Sequence, residues 1–289
     1  MSATFRTGFI ALIGRPNVGK STLLNHILGQ KISITSNKPQ TTRNRILGIK
    51  HLPEGQMIFL DTPGLPEDKH YWNRQMIQTA KQTVYEADII FALIDPTVKQ
   101  DDTFLFDFIK GSEVPKILVL NKIDLFSKGK LIPALNALGE NDDICKRFAE
   151  VVPLSAKTGE NIDKLLQVAL PYLPEREPIF ADDTVTDQPV RFMAAEMLRE
   201  QVIQQTKDEL PYSVSVQIEQ FVEHSQKGMI HILATLFVEK ESQKAILIGQ
   251  RGERLKSIGT AARCELEKLL DSKIFLQMWV KVRGTAQGD

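Results

Sequence analysis

The feature that most constrains the fold is a glycine-rich octapeptide at residues 14–21, which reads Gly-Arg-Pro-Asn-Val-Gly-Lys-Ser. It follows an apolar run at residues 7–13 and precedes a helical pattern at residues 20–28. Glycines let successive backbone N–H groups face one anion, and the helix that follows adds the positive end of its dipole. A strand, a loop of this pattern and a helix in that order predict a phosphate-binding loop in an α/β domain.

The residue types in this loop suit a nucleotide. Lys20 carries the charge that the β- and γ-phosphates require, and the Ser21 hydroxyl is suited to Mg²⁺. We expect Lys20 to be catalytic as well as binding. The predicted nucleotide contacts of this segment are Gly14, Arg15, Pro16, Asn17, Val18, Gly19, Lys20, Ser21 and Thr22.

A second candidate segment, Asp-Thr-Pro-Gly at residues 61–64, ends an apolar strand pattern at residues 56–60. Ligands bind open α/β sheets at the carboxyl ends of the strands. Asp61 could hold Mg²⁺ through a water, and the Gly64 N–H could sense the γ-phosphate, so Gly64 is a second catalytic candidate. The predicted contacts of this segment are Asp61, Thr62, Pro63, Gly64 and Leu65.

A third segment, Asn-Lys-Ile-Asp at residues 121–124, follows a strand pattern at residues 116–120. A carboxylate at Asp124 can accept from N1–H and the 2-amino group of guanine, whereas adenine would leave it unpaired. This favours GTP over ATP and argues against an ATP-dependent kinase or ATPase. Ser-Ala-Lys at residues 155–157 would place a backbone N–H on the guanine carbonyl. The predicted contacts here are Asn121, Lys122, Ile123, Asp124, Ser155, Ala156 and Lys157.

The 289 residues predict about two domains, and residues 171–189 contain four prolines and clustered acids, which is typical of a linker. We therefore expect a first domain at 1–172, a linker at 173–189 and a second domain at 190–289. Strand and helix patterns alternate in the first domain, which predicts a mostly parallel sheet with helices on both faces. The order α-β-β-α-α-β predicts a separate α+β second domain.

In the first domain we expect strands near 7–13, 45–51, 56–60, 88–94, 116–120 and 150–152, and helices near 20–28, 73–85, 102–110, 130–138 and 161–170. A hairpin at residues 53–55 predicts one antiparallel edge pair. In the second domain we expect helices near 190–205, 243–248 and 253–270, and strands near 213–223, 228–239 and 273–283.

The four motifs together resemble the translation-factor-like GTPases of the P-loop class, over residues 7–170. The resemblance implies a first switch at residues 30–44 and a second at 64–80. Within the first, Gln-Thr-Thr-Arg-Asn at residues 40–44 would be the core, with Thr42 as a catalytic Mg²⁺ ligand beside Ser21 and Asp61, and Thr41 as the alternative.

Leu65 occupies the position where many GTPases of this class carry the glutamine that orients the attacking water. A leucine side chain cannot hydrogen-bond water. In related GTPases with an apolar residue here, an asparagine in the phosphate loop helps to hold K⁺ against the phosphates. The resemblance therefore implies that Asn17 is catalytic through K⁺, with slow intrinsic turnover.

In the second domain, Gly-Gln-Arg-Gly at residues 249–252 lies between two helical patterns, and residues 240–263 hold six basic and two acidic residues. A Gly-x-x-Gly loop between helices can clamp a nucleic-acid backbone. With its element order, this domain resembles a type II KH domain. The candidate RNA-binding residues are Lys244, Gly249, Gln250, Arg251, Gly252, Arg254 and Lys256. We expect Phe275, Met278 and Trp279 in the core.

A single GTPase domain followed by a type II KH domain resembles the bacterial ribosome-assembly GTPases, over nearly the whole chain. The resemblance implies binding to 16S ribosomal RNA near its 3′ end, assistance in 30S subunit assembly and peripheral contact with the inner membrane. We expect a cytoplasmic monomer without a stable protein partner. Lys+Arg and Asp+Glu both number 36, which excludes a globally basic coat protein. The alternative is a GTPase adaptor whose KH-like domain binds protein or membrane.

Overall fold

The computed structural model describes residues 4–36, 38, 41–42, 44–65, 74–98, 102–126, 129, 133, 146–207, 210–224 and 228–283. The chain divides into two compact units, residues 1–187 and 188–289.

The first unit is built on a sheet of strands with helices between them, as the alternating pattern predicts. Its strands are β1 (Arg6–Gly14), β2 (Ile46–Leu52), β3 (Gly55–Asp61), β4 (Ile89–Ile94), β5 (Lys116–Leu120) and β6 (Glu150–Pro153). Its described helices are α1 (Lys20–Leu28), α2 (Arg74–Glu86), α3 (Thr103–Ile109) and α4 (Ile162–Ala169). The predicted helix at 130–138 lies almost wholly outside the described residues.

The sheet has the order β2-β3-β1-β4-β5-β6. Strands β3, β1, β4, β5 and β6 run parallel to one another. The predicted hairpin is confirmed because β2 pairs antiparallel with β3. Residues 10–13 of β1 and all residues of β4 are apolar and buried, as in a sheet covered on both faces. The carboxyl ends of β1, β3, β5 and β6 therefore lie along one edge, and each is followed by one of the predicted motifs.

Residues 179–186 run beside the antiparallel edge of this sheet, and we call them the strap. The buried Gln56 on β3 accepts from the N–H groups of Ile179 (2.9 Å) and Phe180 (3.0 Å) and donates to the carbonyl of Phe180 (2.8 Å). On β2, the N–H of Ile49 donates to the carbonyl of Val185 at 2.8 Å. The strap is thus bonded to both strands of the hairpin.

The second unit has the predicted α-β-β-α-α-β order with one addition. Its elements are α5 (Val190–Gln205), α6 (Leu210–Ser213), β7 (Ser215–His224), β8 (Met229–Val238), α7 (Glu241–Ile248), α8 (Glu253–Leu270) and β9 (Lys273–Val282). The sheet order is β7-β8-β9, with β8 antiparallel to β7 and parallel to β9. The short α6 was not predicted, because four residues carry no helical period.

The helices of this unit cover one face of its sheet. Inward side chains of the three strands pack with buried residues of α5, α7 and α8. Met278 packs there, as expected. The expectation of core positions for Phe275 and Trp279 is wrong: they are 47% and 61% exposed. Along β9 the residues alternate between the two faces, and Phe275 and Trp279 point away from the helices.

Among the described residues, no helix is long and apolar enough to cross a membrane.

Candidate functional site

The phosphate loop connects β1 to α1. Its backbone adopts left-handed torsions at Asn17 (φ 61°) and Gly19 (φ 101°), and α1 begins at Lys20. A Cβ atom added at Gly19 would lie 2.2 Å from Nδ2 of Asn121. Position 19 therefore requires glycine both for its torsion and for space. The turn ends at the positive end of a helix, which suits an anion.

Lys20 is buried in this loop, and its ammonium donates to the carbonyl oxygens of Gly14 (3.1 Å) and Arg15 (2.9 Å). Desolvation lowers the pKa of Lys20 to about 8, and Asp61 opposes that shift. Because removal from water disfavours the charged form, an anion placed at this ammonium would be strongly bound. Lys20 is thus equipped to hold phosphate.

Arg15 has a different role. Its Nε donates to Oδ1 of Asp102 at 2.7 Å, and the side chain is buried. The guanidinium is therefore anchored to the segment before α3. A cavity of about 220 Å³ lies beside this pair, and Asn17 and Lys122 contribute to its lining.

Four oxygen-bearing side chains meet at the end of β3, and we call them the oxygen cluster: Ser21, Ser33, Thr42 and Asp61. Oδ2 of Asp61 accepts from the hydroxyls of Ser21 (2.7 Å) and Ser33 (2.8 Å). Oγ of Ser21 lies 3.0 Å from Oγ1 of Thr42. Oδ1 of Asp61 is buried with no hydrogen-bond partner in the described part of the chain. Hydroxyl and carboxylate oxygens of this kind fit Mg²⁺.

Burial raises the pKa of Asp61, against the opposing effects of Lys20, Ser21 and Ser33. A cation at Oδ1 would remove that penalty, since it favours the ionised carboxylate.

The structure also separates the two threonines left open by the sequence. Thr42 belongs to the oxygen cluster, whereas the hydroxyl of Thr41 donates to the carbonyl of Lys38 at 2.8 Å. Gln40 and Arg43 of the same motif lie outside the described residues.

Ser33 is a member of the cluster that sequence reasoning missed, because no motif marks it. It reaches Asp61 because Asn25 on α1 folds the following chain back. Oδ1 of Asn25 accepts from the N–H groups of Ile32 and Ser33, both at 2.9 Å, and its amide donates to the carbonyl of Ser33 at 2.7 Å.

The segment after Asp61 packs tightly against the phosphate loop. Thr62 donates its hydroxyl to the carbonyl of Leu12 at 2.8 Å. A Cβ atom at Gly64 would lie 2.6 Å from Cα of Pro16, so only glycine fits. The N–H of Leu65 donates to the carbonyl of Gly14 at 3.1 Å, and the Leu65 side chain is 2% exposed within the core. Leu65 therefore does not face the site.

The side chain of Asn121 links the loops after β1, β5 and β6 by hydrogen bonds. Its amide donates to the carbonyl of Val18 at 2.7 Å, and its Oδ1 accepts from the N–H groups of Lys122 (2.8 Å) and Ala156 (2.9 Å). The hydroxyl of Ser155 donates to Oδ1 of Asp124 at 2.7 Å. This hydrogen bond orients the exposed carboxylate of Asp124, whose acceptor oxygens suit a base with two donor groups.

Two of the three backbone N–H groups in residues 155–157 already have hydrogen-bond acceptors within the chain. The Ala156 N–H is already used by Asn121, and the Ser155 N–H donates to the carbonyl of Glu160. Of the three N–H groups in residues 155–157, that of Lys157 is the one without a hydrogen bond to the described part of the chain.

Asp95 is a second residue that sequence reasoning missed. It follows β4, and its Oδ2 accepts from Nζ of Lys122 at 2.6 Å. Burial alone would raise the pKa of Asp95, but hydrogen bonds from Lys122 and Thr97 lower it. The ion pair fixes Lys122, whose backbone is left-handed (φ 65°), beside the phosphate loop. The signal that could have found Asp95 is an acid at a strand's carboxyl end.

The second candidate site is the loop at residues 249–252, between α7 and α8. Gly249 (φ 73°), Arg251 (φ 49°) and Gly252 (φ 81°) have left-handed torsions. A Cβ atom at Gly249 would lie 2.8 Å from Cβ of Arg254, whereas nothing lies within 4 Å of one at Gly252. The second glycine therefore leaves open space at the start of α8, where a backbone phosphate could approach.

The basic residues around this loop are mostly exposed. Gln250, Arg251 and Lys256 are exposed, and Arg254 donates to the carbonyl of Ile246 at 2.5 Å, closing the loop. Lys244 is partly buried and pairs with Glu241 at 3.8 Å. The loop and its positive side chains together form a surface that a polyanion can contact.

Models of known protein families match both units of the chain. The family model for the 50S ribosome-binding GTPases matches residues 9–122, and the KH domain model matches residues 209–286. Among curated proteins, the GTPase Era of Geobacter metallireducens is 45% identical over 96% of this chain and 93% of its own. That of Geotalea daltonii is 48% identical over the same shares.

Two solved structures of Era match over 96% of this chain and 94% of theirs, at 42% identity. One, with a TM-score of 0.88, is in complex with MgGDPNP and nucleotides 1506–1542 of 16S ribosomal RNA. The other, a point variant of Era from Aquifex aeolicus with a TM-score of 0.89, is bound to GDP.AlF4⁻. Identity of this level over nearly the full length of both proteins shows that the chain belongs to the GTPase Era family, as a GTPase with a KH domain.

Proposed function

We propose that this GTPase binds small-subunit ribosomal RNA near its 3′ end through the 249–252 loop, and that it assists assembly of the 30S subunit. The observation that carries the proposal is the open, left-handed loop flanked by exposed basic side chains. A relative with 42% identity is bound to nucleotides 1506–1542 of 16S ribosomal RNA, which supports the same partner here. The RNA-binding set would be Lys244, Gly249, Gln250, Arg251, Gly252, Arg254 and Lys256.

The nucleotide would bind across the motifs of the first unit. Lys20 and the N–H groups of the phosphate loop would hold the phosphates, and Asp124 would select guanine. The Lys157 N–H would face the guanine carbonyl. Ser21, Thr42 and Asp61 would hold Mg²⁺, with the unpartnered Oδ1 of Asp61 as the atom that turns toward it. The ion neutralises charge on the β- and γ-phosphates when it is bound.

Hydrolysis would proceed slowly and with K⁺. Leu65 is buried in the core and cannot orient water, so the charge that develops on the phosphates has to be met elsewhere. Asn17 lies in the phosphate loop with an amide oxygen that suits a monovalent cation. Slow hydrolysis would then set the lifetime of the GTP-bound state, and Thr42 and Gly64 would respond to which nucleotide is bound.

The strap would transmit the nucleotide state beyond the switch segments of the first unit. Thr42 lies four residues before β2, and Asp61 ends β3. The strap is hydrogen-bonded to both strands through Ile49 and Gln56, and it leads toward the KH unit along the chain. GTP would order both switches, and the repacking of β2 and β3 would change the strap and so RNA binding. We also propose that the protein is a cytoplasmic monomer with peripheral contact at the inner membrane.

The test is RNA crosslinking from cell extract with GDPNP present. Wild type is compared with the double variant Gln250→Asp/Arg251→Asp, and Lys268→Asp, an exposed cation near the opposite end of α8, serves as a matched surface control. We expect wild type and the control to enrich the 3′ end of 16S ribosomal RNA, and the double variant to lose that enrichment. If large-subunit RNA is enriched instead, the proposed partner is wrong. If no ribosomal RNA is enriched, the adaptor function replaces it.

A further inference from the structure

In the described part of the second unit, the helices pack on one face of the KH sheet and none packs on the other. The helices cover only the inner face, and the outer face presents alternate residues of all three strands. On β9 these include Phe275 and Trp279, which are 47% and 61% exposed. Exposed aromatic side chains that lie together on one sheet face are a candidate contact surface, since contiguous exposed apolar patches mark interaction sites.

The strand register places further rings beside these two. His231 on β8 pairs with Phe275, and their ring centroids are 5.1 Å apart. Thr235 pairs with Trp279, and Phe237 with Lys281. Phe275 and Trp279 are four residues apart on one strand, or about 13 Å. They are therefore separate platforms in one row, each able to take its own flat ligand group.

The charge along this row is positive. Lys273 lies at the Phe275 end of the same face, and Lys281 and Arg283 lie at the Trp279 end. Arg283 crosses the end of the sheet and donates to the hydroxyl of Ser215 on β7 at 2.7 Å. The one acid among the described side chains of this face is Glu219 on β7, on the far side of the sheet from β9.

We infer that the outer face of the KH sheet is a second RNA contact, on which Phe275 and Trp279 stack unpaired bases while Lys273, Lys281 and Arg283 meet the phosphates. Aromatic platforms interleaved with basic side chains are how sheets bind single-stranded nucleic acid. The inference rests on the proposed function, since it concerns the same RNA, but it uses a different surface from the 249–252 loop. Charge complementarity favours RNA over an apolar peptide, which would not need the row of cations.

The test uses the full chain with GDPNP and an RNA of the sequence of 16S nucleotides 1506–1542, with 4-thiouridine in place of uridine. Crosslinked residues are mapped by mass spectrometry, and affinity is measured by anisotropy. We expect crosslinks at Phe275, Trp279 or His231. The double variant Phe275→Ala/Trp279→Ala should bind at least about fivefold more weakly. Val190→Ala, an exposed apolar residue on α5 and not on the sheet, should bind like wild type.

The conservative variant Trp279→Phe separates stacking from structure, because it keeps a ring, and it should restore most of the affinity relative to Trp279→Ala. Equal affinity of the double variant and wild type, with crosslinks confined to the 249–252 loop, would overturn the inference and leave the proposed function standing. Weakened binding without crosslinks on the sheet and without rescue by Trp279→Phe would also overturn it. If wild type does not bind this RNA, both fail.

Discussion

The side-chain amide of Asn121 donates to the carbonyl of Val18 at 2.7 Å, so the loop after β5 is bonded directly to the phosphate loop after β1. The same side chain accepts from the N–H of Ala156 in the loop after β6. One buried residue thus holds together the phosphate and base sides of the nucleotide site. Asn121 therefore supports the site structurally, in addition to its predicted contact with the nucleotide.

Replacement of Asn121 by alanine should therefore loosen the whole site. Three hydrogen bonds are lost, and buried partners remain unsatisfied, so the free energy of unfolding should fall by about 1–3 kcal/mol. GDP affinity should fall as well. Urea denaturation and nucleotide titration measure both effects. Leu125→Ala, an exposed residue of the same turn, is the control and should change neither. Normal GDP affinity in Asn121→Ala would contradict this role.

Asp124→Asn should change which base is bound. Asparagine presents an amide donor where the carboxylate accepts, so it pairs poorly with the 2-amino group of guanine and well with the 2-carbonyl of xanthine. We expect GTP affinity to fall at least about 100-fold while XTP affinity rises. Ser155→Ala removes only the hydroxyl that orients Asp124, so it should weaken GTP binding without a switch in base. Competition binding between GTP and XTP measures both effects.

The fold and most of the site were predictable from the sequence because each motif combines a local backbone requirement with a chemical one. The turn requires glycine at position 19 for its left-handed torsion, and phosphate binding requires Lys20 directly after it, so the spacing of the two residues is fixed. Ser33 was not predictable, since it reaches Asp61 through hydrogen bonds with Asn25 that exist only in the folded chain. Asp95 could have been found as an acid at a strand's carboxyl end, but its ion pair with Lys122 could not.

GTP hydrolysis should depend on the monovalent cation. At matched ionic strength we expect turnover at least about tenfold faster in KCl than in NaCl, and Asn17→Ala should abolish the difference. Equal rates of wild type in the two salts would contradict the role of Asn17. Leu65→Gln should not rescue the variant. Burial of an amide in the core would instead lower the free energy of unfolding by about 1–3 kcal/mol.

Lys20 should make the stability of the nucleotide-free protein depend on pH. Its pKa is about 8 in the folded state and near 10.5 in the unfolded state. Between these values the unfolded chain binds more protons, so stability rises with pH across that window and the cost of burying the cation is greatest below pH 8. The gain should total about 3 kcal/mol. Urea denaturation between pH 7 and 10 measures it, and Lys20→Met should remove the rise. Parallel curves for wild type and variant would contradict it.

The exposed face of β9 shows that alternation is a better guide than residue type. The even-numbered positions of residues 273–282 are all apolar, whereas the odd-numbered positions also hold Lys273, Gln277 and Lys281, so the period of two predicts that the even-numbered face is buried. Phe275 and Trp279 are large and apolar, which places them inside by residue type alone, but they belong to the odd-numbered, exposed face. The strap was hidden from sequence patterns, because its bonds to Gln56 and Ile49 join segments more than 120 residues apart.

The nucleotide state of the first unit should control RNA binding by the KH unit, and the affinity of the full chain for 16S nucleotides 1506–1542, measured in GDP and in GDPNP, tests this coupling. We expect tighter binding in GDPNP, by at least about fivefold. Gln56→Ala, which releases the strap, should bring the two affinities together, whereas Glu175→Gln, at an exposed ion pair with Arg6, should not. Equal affinities of the wild-type chain in the two nucleotides would contradict this coupling, because a ligand without differential affinity shifts no equilibrium.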